Sequence, residues 1–65
     1  MPSSVVAHFS YDADSQILKV IFVSGLVYEY QHVPESVYNA MKRSRSKGSF
    51  LNRKIKGVYD FIKVN

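Results

Sequence analysis

The chain has no cysteine among its 65 residues, which excludes disulfides, thiolate metal sites and a cysteine nucleophile. A reducing cytosol suits such a composition. Long hydrophobic runs are missing too. Nothing approaches the ~20 apolar residues that a membrane span needs, and Met1-Pro2-Ser3-Ser4-Val5-Val6-Ala7-His8 lacks the basic and apolar blocks of a secretory signal. The expectation is a soluble, cytoplasmic protein. No internal repeat, linker or low-complexity segment interrupts the sequence. A chain this short buries only about 60% of its unfolded surface, so residues 1–65 read as a single domain. Without staples, packing supplies no more than roughly 3–5 kcal/mol of stability.

Carboxylates are scarce in the second half. Residues 1–39 hold Lys19 against Asp12, Asp14, Glu29 and Glu35, a net of −3. Residues 40–65 hold Lys42, Arg43, Arg45, Lys47, Arg53, Lys54, Lys56 and Lys63 against Asp60, a net of +7. A field of one sign concentrated at one end raises the local concentration of polyanions. The plainer reading is a solvated surface that favours solubility.

Val5-Val6-Ala7-His8-Phe9-Ser10-Tyr11 and Ile17-Leu18-Lys19-Val20-Ile21-Phe22 are β-branched and aromatic runs separated by Asp12-Ala13-Asp14-Ser15, the pattern of a hairpin. A second turn lies around Ser24-Gly25. Opposed residues of an antiparallel pair share a face, so the turn length decides what is buried. A two-residue turn would pair Ile21 with Tyr28 and leave both Tyr28 and Tyr30 on the face of Lys19. A three-residue loop, Val23-Ser24-Gly25 with a left-handed Gly25, pairs Phe22 with Leu26, Val20 with Tyr28 and Leu18 with Tyr30. This second register gathers the apolar residues on one face, and it is the one expected. It turns Tyr28 and Tyr30 towards the core, which favours packing with a wet hydroxyl over a platform on which bases stack.

Pro34 reads as the first position of a helix, with Glu35 well placed in its first turn and Val37, Tyr38, Ala40 and Met41 on one face. Ser46 can cap a second short helix over 47–55, with Phe50, Leu51 and Ile55 inward and Asn52, Arg53 and Lys56 outward. Gly57 is placed to end it. Val58-Tyr59-Asp60-Phe61-Ile62-Lys63-Val64 reads as a last strand whose inward face the pattern leaves open. The expected fold is α+β, in the order β-β-β-α-α-β, with an antiparallel sheet carrying two short helices on one face. Phe22, Tyr38 and Phe50 are expected as core residues from three different elements.

Catalytic chemistry finds little footing. His8 and His32 fall on different strands with no acid at triad spacing, so no catalytic residue is assigned and a non-enzymatic protein is expected. Asp12, Asp14 and Gln16 imitate the first ligands of a calcium loop, but Ile17 stands in place of the turn glycine and Val23 in place of the bidentate glutamate. The segment reads as a hairpin turn, and neither a metal nor a cofactor is expected. Lys47-Gly48-Ser49-Phe50 matches the start of an RNP1 signature, yet Ser49 replaces its first aromatic and the segment reads as helical.

The stretch Tyr28-x-Tyr30, Val33-Pro34 with Val37-Tyr38, Ser46-x-Gly48 with Phe50-x-Asn52, and Ile55 resembles the KTSC domain family. That module is named for its place at the C-terminus of some lysyl-tRNA synthetases and is also found as a free-standing protein. The resemblance runs from about Ser4 to Ile62. Leu51 sits where a second aromatic is common in the family. The resemblance implies the fold, a structural part for Tyr28, Tyr30, Pro34, Tyr38, Gly48 and Phe50, a lean towards RNA, and no catalytic residues.

Two functions are then weighed. In the first, a monomeric module binds RNA through Arg45, Lys47, Arg53, Lys54 and Lys56 around the second helix, with Asn52 and the amides at that helix's N-terminus adding hydrogen bonds. Against it stands the reading that Lys42, Arg43 and Arg45 merely complement the C-terminal dipole of the first helix. In the second, a protein partner docks on a sheet edge or on an outer sheet face formed by Val6, Ile17, Ile21 and Val27.

Overall fold

A computed structural model describes residues 5–65. Among them four strands, β1 (Val6–Asp12), β2 (Ile17–Phe22), β3 (Val27–Tyr30) and β4 (Phe61–Lys63), form one antiparallel sheet in the order β1-β2-β3-β4. Between β3 and β4 the chain makes α1 (Glu35–Arg43) and α2 (Lys47–Phe50), and α2 runs directly into a π-helical turn over Leu51–Ile55. The fold is therefore the expected α+β arrangement, β-β-β-α-α-β.

The β2–β3 register is the one that the apolar pattern demands. Leu18 opposes Tyr30, Val20 opposes Tyr28 and Ile21 opposes Val27. The loop closes with the Phe22 amide donating to the Leu26 carbonyl at 2.9 Å and the Gly25 amide donating to the Phe22 carbonyl at 2.9 Å. Gly25 has φ +96°, a conformation that L side chains rarely adopt. As a result Leu18, Val20 and Tyr30 are buried together with Val33, Met41, Leu51 and Ile55, which come from the β3–α1 connection, α1 and the π turn.

The first hairpin turns through Ala13–Gln16, where the Asp14 amide donates to Asp12 Oδ1 at 3.1 Å. That is an Asx turn, and it gives Asp12 a structural part. β1 carries a bulge between Val6 and His8. The extra residue, Ala7, reverses the alternation, so Val6 opposes Phe22 and packs on the core. The expectation of Val6 on the outer face fails for that reason. The outer face instead carries Ile17, Ile21, Val27 and Ile62, with Lys19 opposite Glu29.

Three further expectations shift. Pro34, at φ −64° and ψ 149°, caps α1 from outside, because its ψ is extended and Glu35 is the first helical residue. The last strand is shorter than 58–64, since the chain turns over 56–58 after the π turn and the strand itself covers Phe61–Lys63, with Val64 and Asn65 still bonded to Val27 of β3. Its inward face holds Phe61, opposite Tyr30, and Lys63, opposite Tyr28. Finally, Phe22, Tyr38 and Phe50 are half-buried at the margin of the core and not at its centre. Tyr38 serves as the outer wall of an aromatic group, stacked on Tyr11 at 4.9 Å and edge-on to Phe9 at 5.9 Å, with the Lys42 ammonium 5.1 Å from its ring.

The Tyr11 hydroxyl donates to the Val33 carbonyl and ties β1 to the segment entering α1. Burial raises the pKa of Tyr11, with the Glu35 and Asp12 carboxylates adding to it, and burial followed by the neighbouring Tyr28 raises that of Tyr30.

These features set three expected outcomes. Gly25→Ala lowers stability by about 1–2 kcal/mol in urea unfolding, since alanine must hold a left-handed conformation, and Gly25→Asn lowers it less. Leu51→Ala, at a fully buried position, costs about 2–5 kcal/mol. Phe50→Ala costs less than Leu51→Ala, which paired thermal melts will show. The third outcome concerns pH. The folded chain holds the Tyr30 proton more tightly than the unfolded chain, whose tyrosine ionises near 10.0. The contribution is complete below pH 10 and is lost as pH rises through the higher folded value. Urea midpoints measured from about pH 9 to about pH 11 fall more steeply for the parent than for Tyr30→Phe.

Candidate nucleic-acid interface

Ser46 starts the helical segment that carries the basic residues, with its Oγ accepting from the Ser49 amide at 3.2 Å. After one α turn the hydrogen bonding widens, and the Lys56 amide reaches back five residues to the Leu51 carbonyl at 2.7 Å. Single π turns of this kind are rare and concentrate at functional sites. Leu51 and Ile55 anchor the turn in the core, and the polar residues between and after them diverge to two sides. Gly57, at φ +82°, then turns the chain away.

On one side Arg45 and Arg53 border an open hollow of about 240 Å³, together with Ser44, Ser46, Ser49 and Phe50. Two arginines and three serines are among its lining residues and no carboxylate lines it, while the Ser44 hydroxyl donates to the Met41 carbonyl at 2.8 Å and the Ser46 hydroxyl accepts from the Ser49 amide. On the other side Asn52 and Lys56 border a groove of about 190 Å³, whose walls are Phe22, Leu26, Tyr28, Tyr30 and Leu51, with Ser24 at the loop end. Tyr28 is half-buried here, stacked on Phe61 at 4.6 Å and edge-on to Phe22 at 5.2 Å, while Tyr30 is buried and 5.5 Å from Phe61. β4 thus backs the groove. The Gln31 amide donates to the Asp60 carbonyl and the Val64 amide to the Val27 carbonyl, each at 2.8 Å, and these bonds hold β4 in place.

The residues proposed from sequence therefore divide. Arg45 and Arg53 border one hollow, Asn52 and Lys56 border the groove, and Lys54 stands exposed and lines neither. Lys47 belongs to neither. Its ammonium donates to the Ser44 carbonyl and, at 3.1 Å, to the Lys42 carbonyl, so it satisfies the C-terminal end of α1. Lys47 therefore makes the helix-end contacts that the sequence reading gave to Lys42, Arg43 and Arg45, although Lys42 and Arg43 do lie in the last turn. Of the amides expected at the start of the second helix, that of Ser49 is taken by the Ser46 hydroxyl and that of Phe50 by the Ser46 carbonyl. From sequence, Ser46 reads only as a cap and motif residue, and neither Ser44 nor Ser49 is placed beside Arg45. Their spacing, Ser44, Ser46 and Ser49 astride the α1–α2 junction, was the available signal.

Of the family-motif residues, Gly48 is buried in α2. His8 and His32 do not meet. His8 is exposed opposite Ile21, and His32 lies beyond the end of β3 in a left-handed conformation at φ +57°. Among the described residues no group of three or more His, Asp or Glu could hold a metal ion, and no helix is long and apolar enough to cross a membrane.

Comparison with known proteins agrees with this architecture. The KTSC domain family matches residues 2–59. The chain is 45% identical over 62 residues to a lysine–tRNA ligase of Nostoc punctiforme (strain ATCC 29133 / PCC 73102), a match that covers 95% of this chain and 11% of the ligase. It is 38% identical to a protein of Stutzerimonas stutzeri (strain A1501), covering 86% of this chain and 79% of that one. The chain thus spans about a tenth of the ligase and most of a small free-standing relative. The crystal structure of a KTSC domain protein from Yersinia pestis superposes with a TM-score of 0.90 at 32% identity, covering 100% of this chain and 92% of the other. With its sequence matched over most of its length and its fold matched throughout, the chain belongs to the KTSC domain family.

Proposed function

We propose that this domain is a non-catalytic RNA-binding module of the cytoplasm, working as a monomer without metal or cofactor. The observation that carries the reading is the hollow that Arg45 and Arg53 both border, with serines and no carboxylate beside them. Guanidinium groups and hydroxyls are the usual partners of phosphate oxygens. The +7 balance of residues 40–65 supplies the longer-range field that draws a polyanion to that side. Similarity to part of a tRNA ligase supports RNA as the polyanion. Asn52, Lys54 and Lys56 extend the contact beyond the hollow. Charge positions a strand without reading it, so binding is weak and has little sequence preference.

A second reading has its own observation. The outer sheet face carries Ile17, Ile21, Val27 and Ile62 with no helix over it among the described residues, and Ile62 is 57% exposed. Apolar surface of this kind suits a protein partner, whose binding would resist salt.

Titration of a mixed tRNA pool at several salt concentrations separates the two. The parent binds at about 50 mM salt and weakens steeply as salt rises. Arg45→Gln with Arg53→Gln weakens binding and flattens the slope of log K against log salt by about 0.7–0.9 per lost phosphate contact, with folding preserved because both side chains are exposed. An unchanged slope contradicts the assignment, and an absence of RNA binding at low salt passes the function to the outer face.

A further inference from the structure

The groove between the β2–β3 hairpin and the π turn has a chemistry that the basic hollow does not share. Its walls are aromatic and aliphatic, and its polar lining residues are Asn52 and Lys56, with Ser24 at the loop end. Asn52 and Lys56 are exposed, and among the described residues no hydrogen bond ties either head group. An asparagine amide presents donors and an acceptor side by side, the arrangement that reads the edge of a base, and lysine holds phosphate as a point charge. No carboxylate lines the groove to oppose an anion. At about 190 Å³ it is smaller than the ~300–1,000 Å³ of a drug-sized site and far too small for a helix, so it has room for one ring system.

We propose that this groove receives one unpaired nucleobase. The base packs against the rings of Phe22 and Tyr28, the Asn52 amide hydrogen-bonds its edge, and Lys56 holds the phosphate attached to it. Base–aromatic packing tolerates any base, and the asparagine adds a preference that the basic hollow cannot supply. Because Arg45 and Arg53 lie across the same π turn, the strand that fills the groove continues past the hollow. In that respect the inference rests on the RNA reading above and adds a base-binding subsite to it.

Single mononucleotides test the groove without RNA. AMP, CMP, GMP and UMP are titrated separately into the ¹⁵N-labelled protein, with a nucleoside and inorganic phosphate as controls. At millimolar concentration at least one nucleotide shifts the amides of Leu26, Tyr28 and Asn52. Asn52→Ala weakens that nucleotide at least about fivefold. Lys56→Gln weakens the nucleotide and leaves the nucleoside unchanged. Inorganic phosphate reproducing the shifts overturns the inference, as does the lack of groove shifts with all four nucleotides. If the groove stays silent while Arg45 and Arg53 still set the salt slope for tRNA, the pocket fails and the RNA reading stands. If nucleotides seat in the groove while the parent ignores tRNA at low salt, the pocket stands and the RNA reading fails.

Discussion

Gly25 in its left-handed conformation is the constraint on which the other contacts depend. It closes a three-residue loop, and the loop length sets which residue of β3 stands opposite which residue of β2. Strand side chains alternate with a period of two, so a slip of one residue would send Tyr28 and Tyr30 to the solvent face. In the observed register they join Leu18 and Val20 under the helices. Phe61 then has rings to stack on, and the short β4 can be held at the sheet edge by Tyr28 and Tyr30. The same choice builds the hairpin wall of the groove from Phe22, Leu26 and Tyr28.

The π turn is the second organising element. Its wide hydrogen bond from Lys56 to Leu51 keeps Leu51 and Ile55 in the core. Asn52 and Lys56, four apart, border the hairpin groove, and Arg53 borders the hollow with Arg45. One short segment therefore anchors the helical layer and presents two different polar surfaces. This economy matters in a chain of 65 residues without disulfides, where the core is small and each buried apolar side chain is a large part of the stability.

Most of the sheet was legible in the sequence because period-two patterning and one glycine jointly specify the register. The exceptions are places where local geometry overrides alternation. Val6 is one, carried to the inner face by the bulge at Ala7. The last strand is another, since both of its alternating sets are apolar and only the rings of Tyr28 and Tyr30 decide that Phe61 faces inward. In the helical layer the cap at Ser46 and the end at Gly57 were legible from residue type. The widening to a π turn was not, because an i to i+4 apolar pair such as Leu51 and Ile55 suits either geometry. For the candidate site, composition identified the basic segment. It could not tell Arg45 and Arg53, which border one hollow, from Lys47, whose ammonium closes the end of α1.

A polyanion and a protein partner would use opposite sides of this molecule, so location distinguishes them more directly than affinity. The decisive measurement is a map of amide shift changes in the labelled protein on addition of a mixed tRNA pool at low salt. The account predicts changes at Arg45, Ser46, Ser49 and Arg53, spreading to Asn52 and Lys56, with Ile17, Ile21, Val27 and Ile62 undisturbed. Changes centred on those four outer-face residues, or none at all, would contradict it.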